Sequence, residues 1–191
     1  DGTINSVNIG KGANSVAGNT CFGENALDAS VTGGNNTAIG KAALGALTSG
    51  AQNVAIGGLV LDALTTGQYN VAMGYAAGSA LTTGGFNTIL GGNAFTTATN
   101  ANNNVAVGYN SMNVTTSGAE NVAVGFAALD ANTSGNTNVA IGNNVLTAST
   151  TASNNTGIGA NALAANTTGT GGTAVGTSAL DSNTTGVYNT G

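Results

Sequence analysis

Short apolar runs that end in glycine recur along this chain at a constant interval of 17 residues. A typical run reads Asn-Thr-Ala-Ile-Gly or Asn-Val-Ala-Ile-Gly, with polar residues and a second glycine between one run and the next. The interval continues without an insertion, and a step of 13 residues leads back to Gly10. Self-similarity at a fixed period indicates a repeat architecture. The glycines that end the runs, called strand glycines below, are Gly23, Gly40, Gly57, Gly74, Gly91, Gly108, Gly125, Gly142, Gly159 and Gly176.

Each position counted from the strand glycine forms a chemically distinct column. Asparagine stands four residues before it, except at Gly172, and a small residue stands two before it, except at Ile89. A large apolar residue directly precedes the glycine, leucine dominates four residues after it, and threonine stands eight after it from Thr48 to Thr184. A second glycine lies ten after it, where Ala101 and Ala152 are the exceptions.

The run before each strand glycine predicts a short β-strand. Its alternation of Thr or Val, then Ala, then Ile gives two faces, and we expect Ile and Val to face the core and Ala to face outward. The glycine then permits a tight turn with positive φ, and Thr-Thr-Gly marks a second corner. A helix is disfavoured because the apolar spacing is not helical and each unit contains two glycines.

One unit alone cannot fold, because it buries about two large side chains worth about 1.5–3 kcal/mol each, whereas ordering costs about 1–2 kcal/mol per residue. Stacked units share one core. We therefore predict an all-β fold, a parallel β-solenoid of about 11 coils, about 50 Å long at the strand spacing of about 4.8 Å. Stacking would align the asparagines into an amide ladder. A triangular helix with coils of about 18 residues is the structural alternative.

The repeat occupies residues 1–191 as a single region, irregular over 1–22 and regular over 23–191. No cap that would hide a strand edge is evident, and the pattern starts and stops within a unit, so we expect a piece of a longer fibre. The small residues of the alanine column favour close approach of another surface, that of a symmetry-related copy of the chain. Alternatively, narrow coils simply require small residues there.

Composition narrows the function. Only 5% of residues are charged, the net charge is −5, and the two basic residues are Lys11 and Lys41, which argues against nucleic acid as a partner. No apolar run approaches the roughly 18 residues of a membrane helix. An uncharged surface rich in Asn, Thr, Ser and Gly suits an extracellular location.

The motif Asn-Val-Ala-Ile-Gly at 53–57 and 138–142, with Asn-Val-Ala-Val-Gly at 104–108 and 121–125, resembles the head repeats of trimeric autotransporter adhesins. The longer unit at 36–50 is similar to repeat regions of phage tail fibres. The resemblance implies a left-handed β-roll, a homotrimer and a structural role in a virion fibre or bacterial surface adhesin. The stalk and membrane anchor of an autotransporter are not visible.

Residues for catalysis or metal binding are scarce. The chain has no histidine, which removes the Ser-His-Asp triad and most zinc sites. Four acidic residues share the column five after the strand glycine but occupy non-adjacent coils, which is typical of a solvated edge. We therefore expect no enzyme activity, no cofactor and no metal. These four residues are Asp28, Asp62, Asp130 and Asp181.

Aromatic residues at the turns are the candidates for ligand contact. Tyr75, Tyr109 and Phe126 each follow a strand glycine directly, and they could contact a glycan or receptor as part of an adhesive head. Packing over neighbouring coils is the alternative. The column from Thr48 to Thr184 also raises the hypothesis of ice binding, although a single outward threonine column is a poor match for a two-dimensional lattice.

Overall fold

The computed structural model describes residues 2–191, which form β-strands and turns with one short 3₁₀ turn at Ala13–Ser15. The strands form one 12-stranded sheet in sequence order. Their bounds are β1 Gly2–Ile4, β2 Val7–Gly10, β3 Thr20–Gly23, β4 Thr37–Ile39, β5 Val54–Ile56, β6 Val71–Met73, β7 Thr88–Leu90, β8 Val105–Val107, β9 Val122–Val124, β10 Val139–Ile141, β11 Thr156–Ile158 and β12 Thr173–Val175.

Strands β3 to β12 stack in parallel, each one coil after the last. The register shifts by 17 residues per strand, so that Ala38 pairs with Ala55 and Ala55 with Ala72. This confirms the parallel β-solenoid with 17-residue coils. Ten stacked strands bound about nine turns within residues 2–191, fewer than the 11 coils expected. Each of these coils contains a single three- or four-residue strand, unlike a three-sided helix.

The shortfall in coils arises at the N-terminal end, where the chain forms a hairpin instead. Strands β1 and β2 pair antiparallel, and β2 then pairs antiparallel with β3, with Asn8 opposite Gly23. The backbone N–H of Ala13 donates to the Leu27 carbonyl at 2.9 Å. The hairpin therefore covers the free edge of the first parallel strand, and the prediction that no cap is present was wrong at this end.

The strand faces point opposite to the sequence prediction. Ala55, Ala106 and Ala140 in the alanine column have no exposed surface, whereas Ile141 directly before a strand glycine is 37% exposed. The alanines lie inside because the core is narrow and already contains the leucine column on the opposite wall. Leu44, Leu61 and their equivalents are fully buried. Where the leucine column is complete, the space beneath the strand fits a small side chain. The larger Ile89 is also fully buried, and it lies where Gly78 replaces the leucine.

The core also contains a column that changes character along the rod. Seven residues after the strand glycine, three successive coils bury Leu47, Leu64 and Leu81. Further along, the same wall consists of polar side chains that are equally buried, and the Thr115 and Ser149 hydroxyls have no hydrogen-bond partner. These polar core residues are Thr115, Asn132, Ser149 and Asn166.

The asparagine column forms the predicted amide ladder. Asn53 donates both its backbone N–H, at 3.0 Å, and its side-chain amide, at 3.1 Å, to Asn36 Oδ1 in the preceding coil. The same amide donates to the Gly67 carbonyl at 2.9 Å. The pattern repeats from Asn36 to Asn155, and these asparagines are buried. The ladder fixes the start of each strand directly above the previous one.

Residues other than glycine adopt positive φ at fixed positions, which the sequence did not reveal. Two, four and twelve residues after the strand glycine the backbone is left-handed, for example at Ala42, Leu44 and Gln52. In this conformation each N–H points along the rod: Ala42 donates to the Glu24 carbonyl, and Leu44 to the Val60 carbonyl. The inter-coil hydrogen bonds offset a conformational cost of about 1–2 kcal/mol per residue.

Candidate interaction surfaces

The outer strand face consists of the residues three before and one before each strand glycine, from Thr20 to Val175. The residues three before the glycine are Thr or Val. Those one before it, here called the outer row, are Phe, Ile, Met, Leu or Val, and neither set contains a charged residue. In the outer row Met73 is 48% exposed and Val175 61%. Nine steps of about 4.8 Å make this face about 43 Å long. A large apolar surface of this kind indicates an interaction site.

The alanine column cannot be the contact surface that the sequence suggested. Its side chains are covered by the chain's own leucine column, and a partner could reach them only by opening the core. The prediction that a partner chain packs against the small residues of this column was therefore wrong. The reason lies in the alternation itself, since a strand of period two shows which residues share a face but not which face is buried.

The three candidate ligand-contact residues lie in one column, here called the aromatic column, one residue after the strand glycine. Tyr75 is 64% exposed, and Tyr109 and Phe126 are each 52% exposed. Tyr109 and Phe126 occupy adjacent coils and stack, with ring centroids 6.0 Å apart and an interplanar angle of 13°. Tyr75 is separated from Tyr109 by the coil that has Gly92 at this position. The rings of Tyr109 and Phe126 therefore pack on each other along the rod and are still partly exposed to solvent.

A second aromatic pair lies just before the asparagine column. Tyr69 and Phe86 stack with ring centroids 4.9 Å apart and an interplanar angle of 13°, and both are exposed. Each has positive φ. Their 17-residue spacing was visible in the sequence and would have predicted the stacking.

The threonine column is used within the rod. The Thr65 hydroxyl donates to the Thr82 carbonyl at 2.9 Å, and Thr82 donates in turn to the Thr99 carbonyl at 2.8 Å. These hydroxyl protons are directed at the backbone of the next coil. The arrangement holds the second corner of each coil in place and removes donors that an ice-binding array would present to water.

The acidic column divides into exposed and half-buried members. Asp28 and Asp181 are exposed, whereas Asp62 and Asp130 are half-buried. Burial raises the pKa of both half-buried carboxyl groups, although nearby backbone N–H groups partly oppose the shift. Oδ1 of Asp62 is buried without a hydrogen-bond partner. The prediction of a uniformly solvated edge was therefore wrong for these two residues.

Other polar features are local. Lys41 and Glu24, in adjacent coils, form an exposed ion pair of 3.4 Å. A pocket of about 240 Å³ lies between the N-terminal hairpin and the first coil, where Cys21 and Asp28 form part of its lining. Burial raises the pKa of the Cys21 thiol.

Within residues 2–191 no cluster of three His, Cys, Asp or Glu side chains suits a metal ion, and no helix could cross a membrane.

No family model matches this sequence, no curated protein is significantly similar to it, and no solved structure significantly resembles its fold. The class of protein is therefore defined by the fold alone, as a parallel β-solenoid built from 17-residue repeats. Its resemblance to adhesin and tail-fibre repeats stays a prediction.

Proposed function

We propose that this chain is a structural, non-enzymatic segment of an extracellular fibre, either of a phage tail or of a bacterial surface adhesin, and that copies of it associate as a homotrimer. The observation that supports the proposal is the outer strand face. It is uncharged, mostly apolar and as long as the parallel stack, and it includes Ile39, Met73 and Ile158 among its exposed residues.

A second copy of the same chain is the partner that fits this face. Every strand presents the same two outward residues at the same spacing, so two rods in register would bury these residues in all ten strands together. The contacts of one strand contribute little affinity alone, but linked contacts reinforce one another because the first brings the others into place. A partner without the 17-residue period would be in register with only a few strands.

Sedimentation velocity on the whole chain tests association through this face. We expect a species of about three times the 18.1 kDa chain mass, and dissociation to the monomer when Val107→Lys and Val124→Lys introduce charges into the middle of the face. Replacement of exposed Ser117 and Ser134 by Lys is the matched control and should leave the mass unchanged. A folded native chain that sediments as a monomer at high concentration would refute the proposal.

A role as a glycan- or receptor-binding head is the second candidate, favoured by the exposed rings of Tyr75, Tyr109 and Phe126. It predicts binding to host-cell surfaces or glycan arrays that is lost when the three rings are replaced together. A rod that acts only as a spacer would show no such binding.

A further inference from the structure

The aromatic column contains a gap that is one coil wide. It reads Gly58, Tyr75, Gly92, Tyr109 and Phe126 in successive coils. Gly92 therefore leaves the space between two exposed tyrosine rings without a side chain.

The two tyrosines hold equivalent poses. A Cβ atom built on Gly58 would lie 3.6 Å from Tyr75 Cδ2, and one built on Gly92 would lie 3.5 Å from Tyr109 Cδ2. Each ring thus leans over the glycine of the preceding coil. Because the poses match, the rings are related by two coil steps, about 9.6 Å along the rod.

The stacked rings of Tyr109 and Phe126 show how much room a separation of one coil leaves between two aromatic rings. Tyr109 and Phe126, one coil apart, stack directly on each other and exclude any ligand. A ring held between two aromatic faces by carbon contacts of about 3.5–4.0 Å on each side needs about 7–8 Å. A separation of one coil step is too narrow for this, whereas the two coil steps between Tyr75 and Tyr109 leave room for one saturated six-membered ring.

We propose that Tyr75 and Tyr109 sandwich a neutral pyranose ring in the space that an aromatic side chain at position 92 would fill. The C–H groups on the faces of a pyranose are weakly positive and pack on the negative faces of aromatic rings. The Asn93 amide lies 3.4 Å from the Tyr109 hydroxyl, so polar atoms line the gap where sugar hydroxyls would emerge. Charged residues in this column, Glu24 and Lys41, pair with each other at its N-terminal end, which favours a neutral sugar.

This site deepens the second candidate function, the glycan-binding head, and rests on it. It does not depend on the fibre role, since a single rod contains both rings and the glycine. Binding and association are therefore separable, and a monomeric chain would still take the sugar.

The test uses the whole chain with methyl glycosides of glucose, galactose, mannose and N-acetylglucosamine. Saturation-transfer NMR detects contact, and tyrosine fluorescence, which no tryptophan emission masks, reports affinity. Gly92→Tyr should close the gap by continuing the stack, as Tyr109 and Phe126 do. Gly58→Tyr is the matched control, because it extends the column on the other side of Tyr75 and leaves the gap open.

We expect transfer from at least one glycoside, and binding at least about tenfold weaker in Tyr75→Ala, Tyr109→Ala and Gly92→Tyr. Gly58→Tyr and Phe86→Ala should bind like the native chain, and Tyr75→Phe should retain binding because the ring face remains. Absence of transfer from all four glycosides, or equal loss in Gly92→Tyr and Gly58→Tyr, would overturn the proposal. Loss of binding in every variant together with a lowered melting temperature would also overturn it.

Discussion

Leu64 and Gly67 occupy complementary space in the same coil: a Cβ atom on Gly67 would lie 2.6 Å from Leu64 Cδ1. Gly50 and Gly84 stand in the same relation to Leu47 and Leu81, at 2.7 and 2.6 Å. The two coils with alanine in place of this glycine, at Ala101 and Ala152, have the small residues Ala98 and Ser149 where these three coils have leucine. A leucine three residues earlier thus requires glycine at this corner, and both alanines occur where that residue is small.

Substitution of that glycine should destabilise the rod. In Gly67→Ala the new Cβ would meet Leu64 and also the Gly84 carbonyl oxygen, 2.2 Å away. We expect a loss of about 1–3 kcal/mol in the free energy of unfolding, measured by guanidinium titration. Gly58→Ala is the control, because its Cβ would only touch the Tyr75 ring. Equal stability of the two variants would contradict the packing argument.

The asparagine ladder should tolerate no loss of its donors. Asn70 donates its side-chain amide to Asn53 Oδ1 and to the Gly84 carbonyl, each at 3.0 Å. Asn70→Asp replaces that amide by an oxygen beside two acceptors in a buried site. We expect a loss of about 3–5 kcal/mol in the free energy of unfolding, measured as a lower thermal midpoint. Asn103→Asp, at an exposed position, should change it little, and similar effects at both positions would argue against the ladder.

Left-handed positions should prefer glycine, although the sequence rarely uses it there. Gln52 is exposed with φ of 60°, so Gln52→Gly should raise the free energy of unfolding by up to about 1 kcal/mol as strain is relieved. Ser49→Gly in the same coil lacks this relief and should lower it by about 0.5–1 kcal/mol. Chemical denaturation of both variants checks the opposite signs. The same sign in both would show that the strain is absent.

Acid should not weaken the rod through Asp62. Burial raises the pKa of Asp62 above the ordinary value of 3.8, so the folded chain takes up this proton at a higher pH than the unfolded chain. The free energy of unfolding from this residue therefore rises as pH falls from neutral through the folded pKa, and levels off below 3.8. The Asp62→Asn variant should be more stable than the native chain at pH 7, and its stability should not show this rise in acid. Asp181→Asn, at an exposed position, should leave the stability profile nearly unchanged. A native chain whose acid profile matches that of Asp62→Asn would contradict this.

Much of the fold follows from the sequence because the repeat aligns equivalent residues. The 17-residue register and the ladder of Asn36, Asn53 and Asn70 need only stacking in register. The facing of the strand does not follow, since both Ala55 and Ile56 are apolar and their period is the same on either face. The volume of the core decides between them, and that volume depends on how tightly the left-handed turns at Leu59 and Leu61 close the coil.

The interaction surfaces are predictable to a different extent. Positions of Tyr75, Tyr109 and Phe126 follow from the repeat, and so does their common column. The gap at Gly92 becomes meaningful only once the ring poses are known, because a ring lying flat on the coil would have closed it. The hairpin at β1 and β2 could not be predicted, since the shortened step from Gly10 to Gly23 does not reveal a reversal of direction.

Cysteine crosslinking in a Cys21→Ser background tests the central claim, that rods associate through the outer strand face, most directly. Val107→Cys places a thiol on that face, and Ala106→Cys places one in the core of the same strand. We predict that mild oxidation or a short bismaleimide joins Val107→Cys chains covalently, while Ala106→Cys chains stay unlinked. Val107→Cys chains that remain unlinked at concentrations where the native mass is that of the oligomer would contradict the account.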